Sequence, residues 1–151
     1  MNKLIASWGG IGYIKGGGTI AAAVTCLLVY PLWQTAAGQN PWVFLLLTIV
    51  ITLIGIYVGN KVESEWGKDS YRVVIDEVAG MLVTLLFLPQ RLDVMVAAFV
   101  LFRFFDMVKP LGIRKMENLP AGTGVMMDDV MAGVYGNILL QIAVHVLKLS
   151  R

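Results

Sequence analysis

The stretch PWVFLLLTIVITLIGIYVG, Pro41 to Gly59, carries no charged side chain. A bilayer's hydrocarbon core asks for about 20 mostly apolar residues per helix, and this run meets that length, so it reads as a transmembrane helix. The neighbouring segments then have to be read against the same apolar solvent. Toward the N-terminus, Thr19 to Ala36 (TIAAAVTCLLVYPLWQTA) is also uncharged. Pro31 is expected to kink this second helix without abolishing it, because membrane helices tolerate proline where neighbours satisfy the freed carbonyl. Gly38-Gln39-Asn40-Pro41 would join the two as an antiparallel pair. Toward the C-terminus lie three further apolar segments with acids at their ends: Val74 to Leu88 (VIDEVAGMLVTLLFL), Asp93 to Val108 (DVMVAAFVLFRFFDMV) and Val125 to Leu147 (VMMDDVMAGVYGNILLQIAVHVL). The expected fold is all-α, a polytopic transmembrane bundle of about five spans with an interfacial N-terminal segment, forming a single domain over residues 1–151.

Composition supports this reading. Of 151 residues, 58% are hydrophobic and only 15% charged, with a mean hydropathy of +0.75; soluble domains carry about 25% charged residues. A net charge of +2 is too balanced for a nucleic-acid binder advertised by bulk charge. Cys26 is the only cysteine and His145 the only histidine, which excludes a disulfide framework and a thiolate zinc site. The glycine-broken N-terminus, MNKLIASWGGIGYIKGGGT, lacks the h-region of a cleavable signal peptide. Residues 1–15 read as interfacial, with Trp8 and Tyr13 suited to the headgroup belt.

Five spans would put the N-terminus, the 60–73 loop and the 109–124 loop on one side. Lys3, Lys15, Lys61, Lys68, Arg72, Arg103, Lys109, Arg114 and Lys115 belong to that side, against Arg91, Lys148 and Arg151 on the other. Cations concentrate on cytoplasmic loops, so the first side is expected to be cytoplasmic. The acids divide the same way without having entered that count. Asp76 and Glu77 open the third span, Asp106 closes the fourth and Asp128 and Asp129 open the fifth, all on the cytoplasmic side.

Acids at bilayer depth are rare because each costs a few kcal/mol on insertion scales. Helix capping and ordinary interfacial ion pairs account for single acids at helix ends; two adjacent pairs plus Asp106 on one side point instead to a site. Placed in first helical turns, Asp76, Glu77, Asp128 and Asp129 would gain from the positive end of the helix dipole. Converging carboxylates still repel one another, and a divalent cation removes the conflict. Oxygen-only ligands indicate magnesium, or manganese.

Arg103 precedes Asp106 by three residues and so shares its helix face, and Lys109 adds a cation one turn on. Cations beside a metal suit a phosphate, whose oxygens gather charge during transfer. Neutralisation of Asp106 inside the bundle is the plainer role for Arg103. Gly16-Gly17-Gly18-Thr19, preceded by Lys15, offers backbone N–H groups at a helix start, or a flexible way into the membrane, but it is no Walker A loop. Ala79-Gly80 and Ala132-Gly133 would let two helices approach closely. Cysteine-phosphatase, aspartyl-nucleophile and His/Arg lipid-phosphatase signatures are missing from the chain. Metal-activated water is therefore the leading nucleophile, with a carboxylate as the other choice.

Three stretches, VIDEVAGM (74–81), FRFFDMVKPLGI (102–113) and GVMMDDVMAGV (124–134), resemble the bacterial phosphatidylglycerophosphatase A family in order and spacing. With the glycine-rich stretch, the resemblance extends from about residue 8 to 145. It implies an integral membrane, magnesium-dependent phosphatase of phospholipid biosynthesis that hydrolyses phosphatidylglycerophosphate to phosphatidylglycerol and phosphate. It also implies a bacterial inner-membrane location, with the site facing the cytoplasm and the acyl chains between helices. The polar positions it marks are Asp76, Glu77, Arg103, Asp106, Lys109, Asp128 and Asp129. Many members carry Pro-Gly-Thr followed by Gly-Ser where this chain has Gly17-Gly18-Thr19 followed by Ile20-Ala21.

The expected roles are then metal binding by Asp76, Glu77, Asp128 and Asp129, with Asp106 a further ligand or general base. Phosphate contacts fall to Arg103, Lys109, Lys15 and Thr19. The alternative from another class is a small cation channel or transporter with an acidic site on the cytoplasmic side. That reading expects acids at more than one depth. Nothing in the sequence bears on oligomeric state.

Overall fold

A computed structural model describes residues 1–68, 70–110 and 112–146, and every regular element among them is helical. The α-helices are α1 (Asn2–Ala6), α2 (Gly17–Trp33), α3 (Ala36–Gln39), α4 (Pro41–Trp66), α5 (Ile75–Leu85), α6 (Leu92–Val108) and α7 (Ala121–Val146), with 3-10 turns at Ile11–Tyr13 and Ile113–Asn118. Lys148 and Arg151, both counted on the non-cytoplasmic side, lie outside the described residues.

The uncharged 41–59 run forms the first part of α4. Asn40 caps it by accepting from the Trp42 backbone N–H at 3.0 Å, and Pro41 sits at the first turn, where a missing N–H does no harm. The helix runs on through Trp66, so half of the expected 60–73 loop is helical, and it is about 39 Å long. Only 28% of its apolar window is buried. Leu46, Leu53 and Tyr57 are about three-fifths exposed, a distribution opposite to that of a core helix in water.

Two helices, α4 and the Gly122–Val146 part of α7, are long and apolar enough to cross a membrane. The other three expected spans are shorter. Helix α2 continues through Pro31 to Trp33 but has 17 residues, as does α6, and α5 has only 11, about 16 Å. The third segment therefore stops being helical at Leu85, short of the expected Leu88. Its early end has a chemical cause: Asn137 Nδ2 of α7 donates to the carbonyls of Thr84 (2.9 Å) and Leu86 (2.7 Å), and Gln141 Nε2 donates to those of Leu86 and Phe87. Carbonyls that a longer helix would have used are satisfied by side chains instead.

Helix α5 is the axle of the bundle. It touches α2, α4, α6 and α7, and nine of its residues are buried. Its closest neighbour is α7, where a Cβ on Gly80 would lie 2.6 Å from the Asp129 carbonyl and one on Gly133 would strike the Gly80 carbonyl. The small residues at 79–80 and 132–133 thus let the two backbones meet, as their sequence suggests.

The N-terminal segment folds onto the bundle and is more than interfacial. Ala6 is fully buried beside Val58 and Val62 of α4, Trp8 packs on the main core, and the Ala6 carbonyl accepts the Val74 N–H at 2.9 Å. Overpacking at a backbone contact costs about 1–3 kcal/mol. Gly133→Val is expected to lower the melting temperature in detergent by several degrees, whereas Leu139→Val on the exposed face of α7 leaves it within about one degree.

Candidate functional site

A cavity of about 600 Å³ opens at the end of the bundle where α2, α5 and α7 begin and α6 ends. All nine residues that the sequence singles out line it: Lys15 and Thr19, Asp76 and Glu77, Arg103, Asp106 and Lys109, and Asp128 and Asp129. The site lies level with the last apolar turns of α4, because Gly122 N–H donates to Asn60 Oδ1 at 2.8 Å, and Gly55 lies beside Ile75 and Met126.

The two acidic pairs share a local geometry. Asp76 Oδ1 accepts the Glu77 backbone N–H at 3.1 Å, and Asp128 Oδ1 accepts the Asp129 N–H at 3.0 Å. In each pair the first carboxylate turns back along its helix and the second projects away. Asp76 and Glu77 occupy the first turn of α5, where the dipole favours anions. Asp128 and Asp129 do not have that position. Helix α7 begins at Ala121, inside the expected 109–124 loop, so these acids lie about two turns in. The dipole fades within the first turn, and a side-chain cation takes its place: Lys109 Nζ meets Asp128 Oδ2 at 2.5 Å.

Arg103 pairs with Asp106 across one turn of α6. Two of the five acids are thus matched by cations, and the other three are arranged differently. Asp76, Glu77 and Asp129 each present a carboxylate oxygen within 4.8 Å of the other two. Glu77 Oε2 and Asp129 Oδ2 are buried without a hydrogen-bond partner. Buried polar atoms are nearly always satisfied, and three converging hard oxygens with orphaned lone pairs fit a divalent cation. This group can hold a metal ion. Asp128, expected among the ligands, has its Oδ2 on Lys109 Nζ.

The glycine-rich stretch has a steric role in the site. Gly16 takes a left-handed conformation (φ 77°) at the start of α2, and a Cβ on Gly18 would collide with the Glu77 carboxyl group. Helix α2 thus begins directly against Glu77, where a side chain at position 18 would push the Glu77 carboxyl group aside, and its start brings Lys15 and Thr19 to the cavity.

Sequence reasoning missed one wall. Tyr13, Ser70 and Tyr71 also line the cavity. Behind them the Arg72 guanidinium lies 5.1 to 6.0 Å from the rings of Tyr71, Tyr13 and Trp66, within cation–π range. Tyr13 and Trp66 meet edge to face at 5.9 Å. The available signal was compositional, a Ser-Tyr-Arg run just before the first acidic pair. It has no periodicity, and nothing local predicts that residues 11–18 fold against it.

Known proteins carry the same pattern. The family model described as Phosphatidylglycerophosphatase A matches residues 4–144. A Bacteroides thetaiotaomicron protein, whose name provisionally makes it a phosphatidylinositol-3-phosphatase, is 50% identical over 115 residues, 74% of this chain and 67% of its own length. Proteins named phosphatidylglycerophosphatase A from Haemophilus influenzae and Escherichia coli are 39% and 38% identical, over 65% and 79% of this chain and 62% and 71% of their own lengths. No solved structure matches the chain. With the family model spanning nearly all of the described helices, the chain belongs to the phosphatidylglycerophosphatase A family of phosphatases.

Proposed function

We propose that the protein is an integral membrane lipid phosphatase that hydrolyses the phosphomonoester of phosphatidylglycerophosphate, with magnesium held by Asp76, Glu77 and Asp129. The observation that carries this reading is the division of five carboxylates into two that are paired with cations and three that converge, two of which, Glu77 and Asp129, each hold a buried oxygen without a hydrogen-bond partner. A channel would need polar groups continuing along a path. Here the sole remaining acid among the described helices' apolar segments, Asp93, is exposed and paired with Arg91 at the opposite end of α6.

In the proposed topology α2, α4, α5, α6 and α7 make five passes. The short α5 completes its pass through the 86–91 segment, and the cavity faces the cytoplasm of a bacterial inner membrane. Cation-rich segments around the cavity support that orientation.

Bound magnesium would supply Lewis acidity toward a phosphate oxygen and a more acidic water. The chain's own residues do the rest. Arg103 and Lys109 neutralise the outer phosphate oxygens as the P–O bond to glycerol breaks, while Asp106 and Asp128 hold those cations in the cavity. Asp106, beside Asp129 and Glu77, takes the proton of the attacking water. Its oxygen becomes the fourth oxygen of free phosphate, the glycerol oxygen departs with a proton taken from solvent, and Asp106 returns its own proton to solvent. Lys15 and Thr19, at the start of α2, bound the headgroup's side of the cavity. The 50% identical relative adds a second substrate to compare, phosphatidylinositol 3-phosphate, also a phosphomonoester on a diacyl lipid.

Purified protein is expected to release phosphate from phosphatidylglycerophosphate in a magnesium-dependent way, with EDTA abolishing release and added magnesium restoring it. Asp129→Asn is expected to lower turnover by about 100-fold or more while leaving expression and melting behaviour intact. Near-normal turnover of that variant would remove Asp129 from the site, and the absence of release with any divalent metal would favour the channel. Lys109 and Asp128 form an ion pair, so their substitutions should not add. Lys109→Met and Asp128→Asn are each expected to lower kcat/KM, and the double variant to be no worse than the weaker single one.

A further inference from the structure

We infer that the groove between α2 and α6 holds an acyl chain of the lipid whose phosphate occupies the polar cavity; this rests on the lipid-phosphatase reading above. A second cavity, of about 380 Å³ and with apolar walls, lies between these two helices alone. Ala23, Cys26 and Tyr30 line it from α2, and Leu92, Val96 and Phe99 line it from α6.

Helical phase puts this groove on the same helix faces as the phosphate cavity. At 3.6 residues per turn, Thr19, Ala23, Cys26 and Tyr30 fall within about 60° of arc on α2. Leu92, Val96, Phe99, Arg103 and Asp106 fall within about 80° on α6. Thr19, Arg103 and Asp106 line the polar cavity, and one turn further along each helix the same face becomes apolar. Because the helices are antiparallel, with α2 starting and α6 ending at the polar cavity, the two stripes run side by side for the whole length. The change from charged to apolar occurs at the same level on both helices, between Thr19 and Ala23 and between Arg103 and Phe99.

That order of chemistry, anion site first and then about 11 Å of apolar channel along α2, matches a phospholipid lying parallel to the helices. It does not match a second copy's helix, for which no polar cavity would be needed at one end. The groove is open on its outer side: Leu27 and Val96 are 72% and 56% exposed. A chain can therefore slide in sideways while the headgroup reaches the cations. An acyl chain that leaves the bilayer for the groove exchanges one apolar surrounding for another, so the groove acts through close packing and by orienting the headgroup toward the cations.

The test compares phosphate release from dipalmitoyl- and dihexanoyl-phosphatidylglycerophosphate at fixed surface concentration in mixed micelles. The wild-type protein is expected to prefer the long-chain lipid. Ala23→Trp, and Val96→Trp on the exposed rim where a bulky ring does not enter the core, are each expected to reduce the long-to-short ratio of kcat/KM by about tenfold or more, chiefly through KM. Tenfold is about 1.4 kcal/mol. Leu53→Trp, 60% exposed on α4, serves as the control and is expected to leave the ratio unchanged. An unchanged ratio in both groove variants, or equal losses on both lipids, would overturn the acyl groove while leaving the phosphatase intact. If the wild-type protein turned over neither lipid with any divalent metal, the phosphatase reading would fall and the groove with it.

Discussion

Mutual repulsion of three carboxylates at the end of a buried helix is the constraint around which this bundle is built. Charges within 4.8 Å of one another repel by about 3 kcal/mol per pair at an effective dielectric near 20. The nearest cations, Arg103 and Lys109, are already engaged with Asp106 and Asp128, so side chains do not neutralise Asp76, Glu77 and Asp129. A divalent ion held by all three would reverse the sign of the interaction. Packing holds the acids in place, and most of the conspicuous features of the fold supply that rigidity. The backbones of α5 and α7 meet at Gly80 and Gly133. Val74 is tied to Ala6 by a hydrogen bond just before the first acidic pair, and α2 starts directly against Glu77 at Gly18.

The brevity of α5 belongs to the same logic. A helix of 11 residues is too short to reach both sides of a hydrocarbon core by itself. Surrounded by α2, α4, α6 and α7, it does not need to present a lipid-facing surface, and nearly all of it is buried. Its far end is finished by Asn137 and Gln141 of α7, so one helix both supplies Asp128 and Asp129 near its start and closes off α5 near its end. Stability and site geometry consequently share the α5–α7 contact. A substitution there cannot be assigned to catalysis until its effect on melting is known.

The cavity's polar residues were legible in the sequence because charge is scarce in an apolar chain and its side preference is readable. Asp76, Glu77, Asp106, Asp128 and Asp129 stand out for that reason, and so do Arg103 and Lys109. Helix lengths were less legible. Apolar composition does not distinguish a segment that stays helical from one whose carbonyls are taken over by a neighbour, as happens at Thr84 to Phe87, and two helices meet the length of a span where five were expected. The partition of the acids was also hidden. Asp128 and Asp129 are adjacent and look equivalent, yet neighbouring residues on a helix point about 100° apart, so one meets Lys109 and the other meets Asp76 and Glu77. The wall formed by Tyr13, Ser70 and Tyr71 depends on contacts between residues some sixty positions apart, which no local pattern encodes.

The acids of the cavity and its opposite wall come from different parts of the chain, and this bears on how the proposed site would tell one lipid from another. The acids and their cations arise from α5, α6 and α7, whereas the opposite wall arises from residues 13–19 and 70–73. The relatives' names refer to a glycerophosphate lipid and to an inositol lipid, each with a terminal phosphomonoester on a diacyl lipid. What differs between those two lipids is the polyol between the two phosphates. On the proposed reading the acidic cluster would meet only phosphate oxygens and have no means of sensing that polyol. Discrimination would then fall to the wall, where Tyr13, Ser70 and Tyr71 offer hydroxyls and Lys15 a charge, and these residues lie outside the α5–α7 contact that positions the acids.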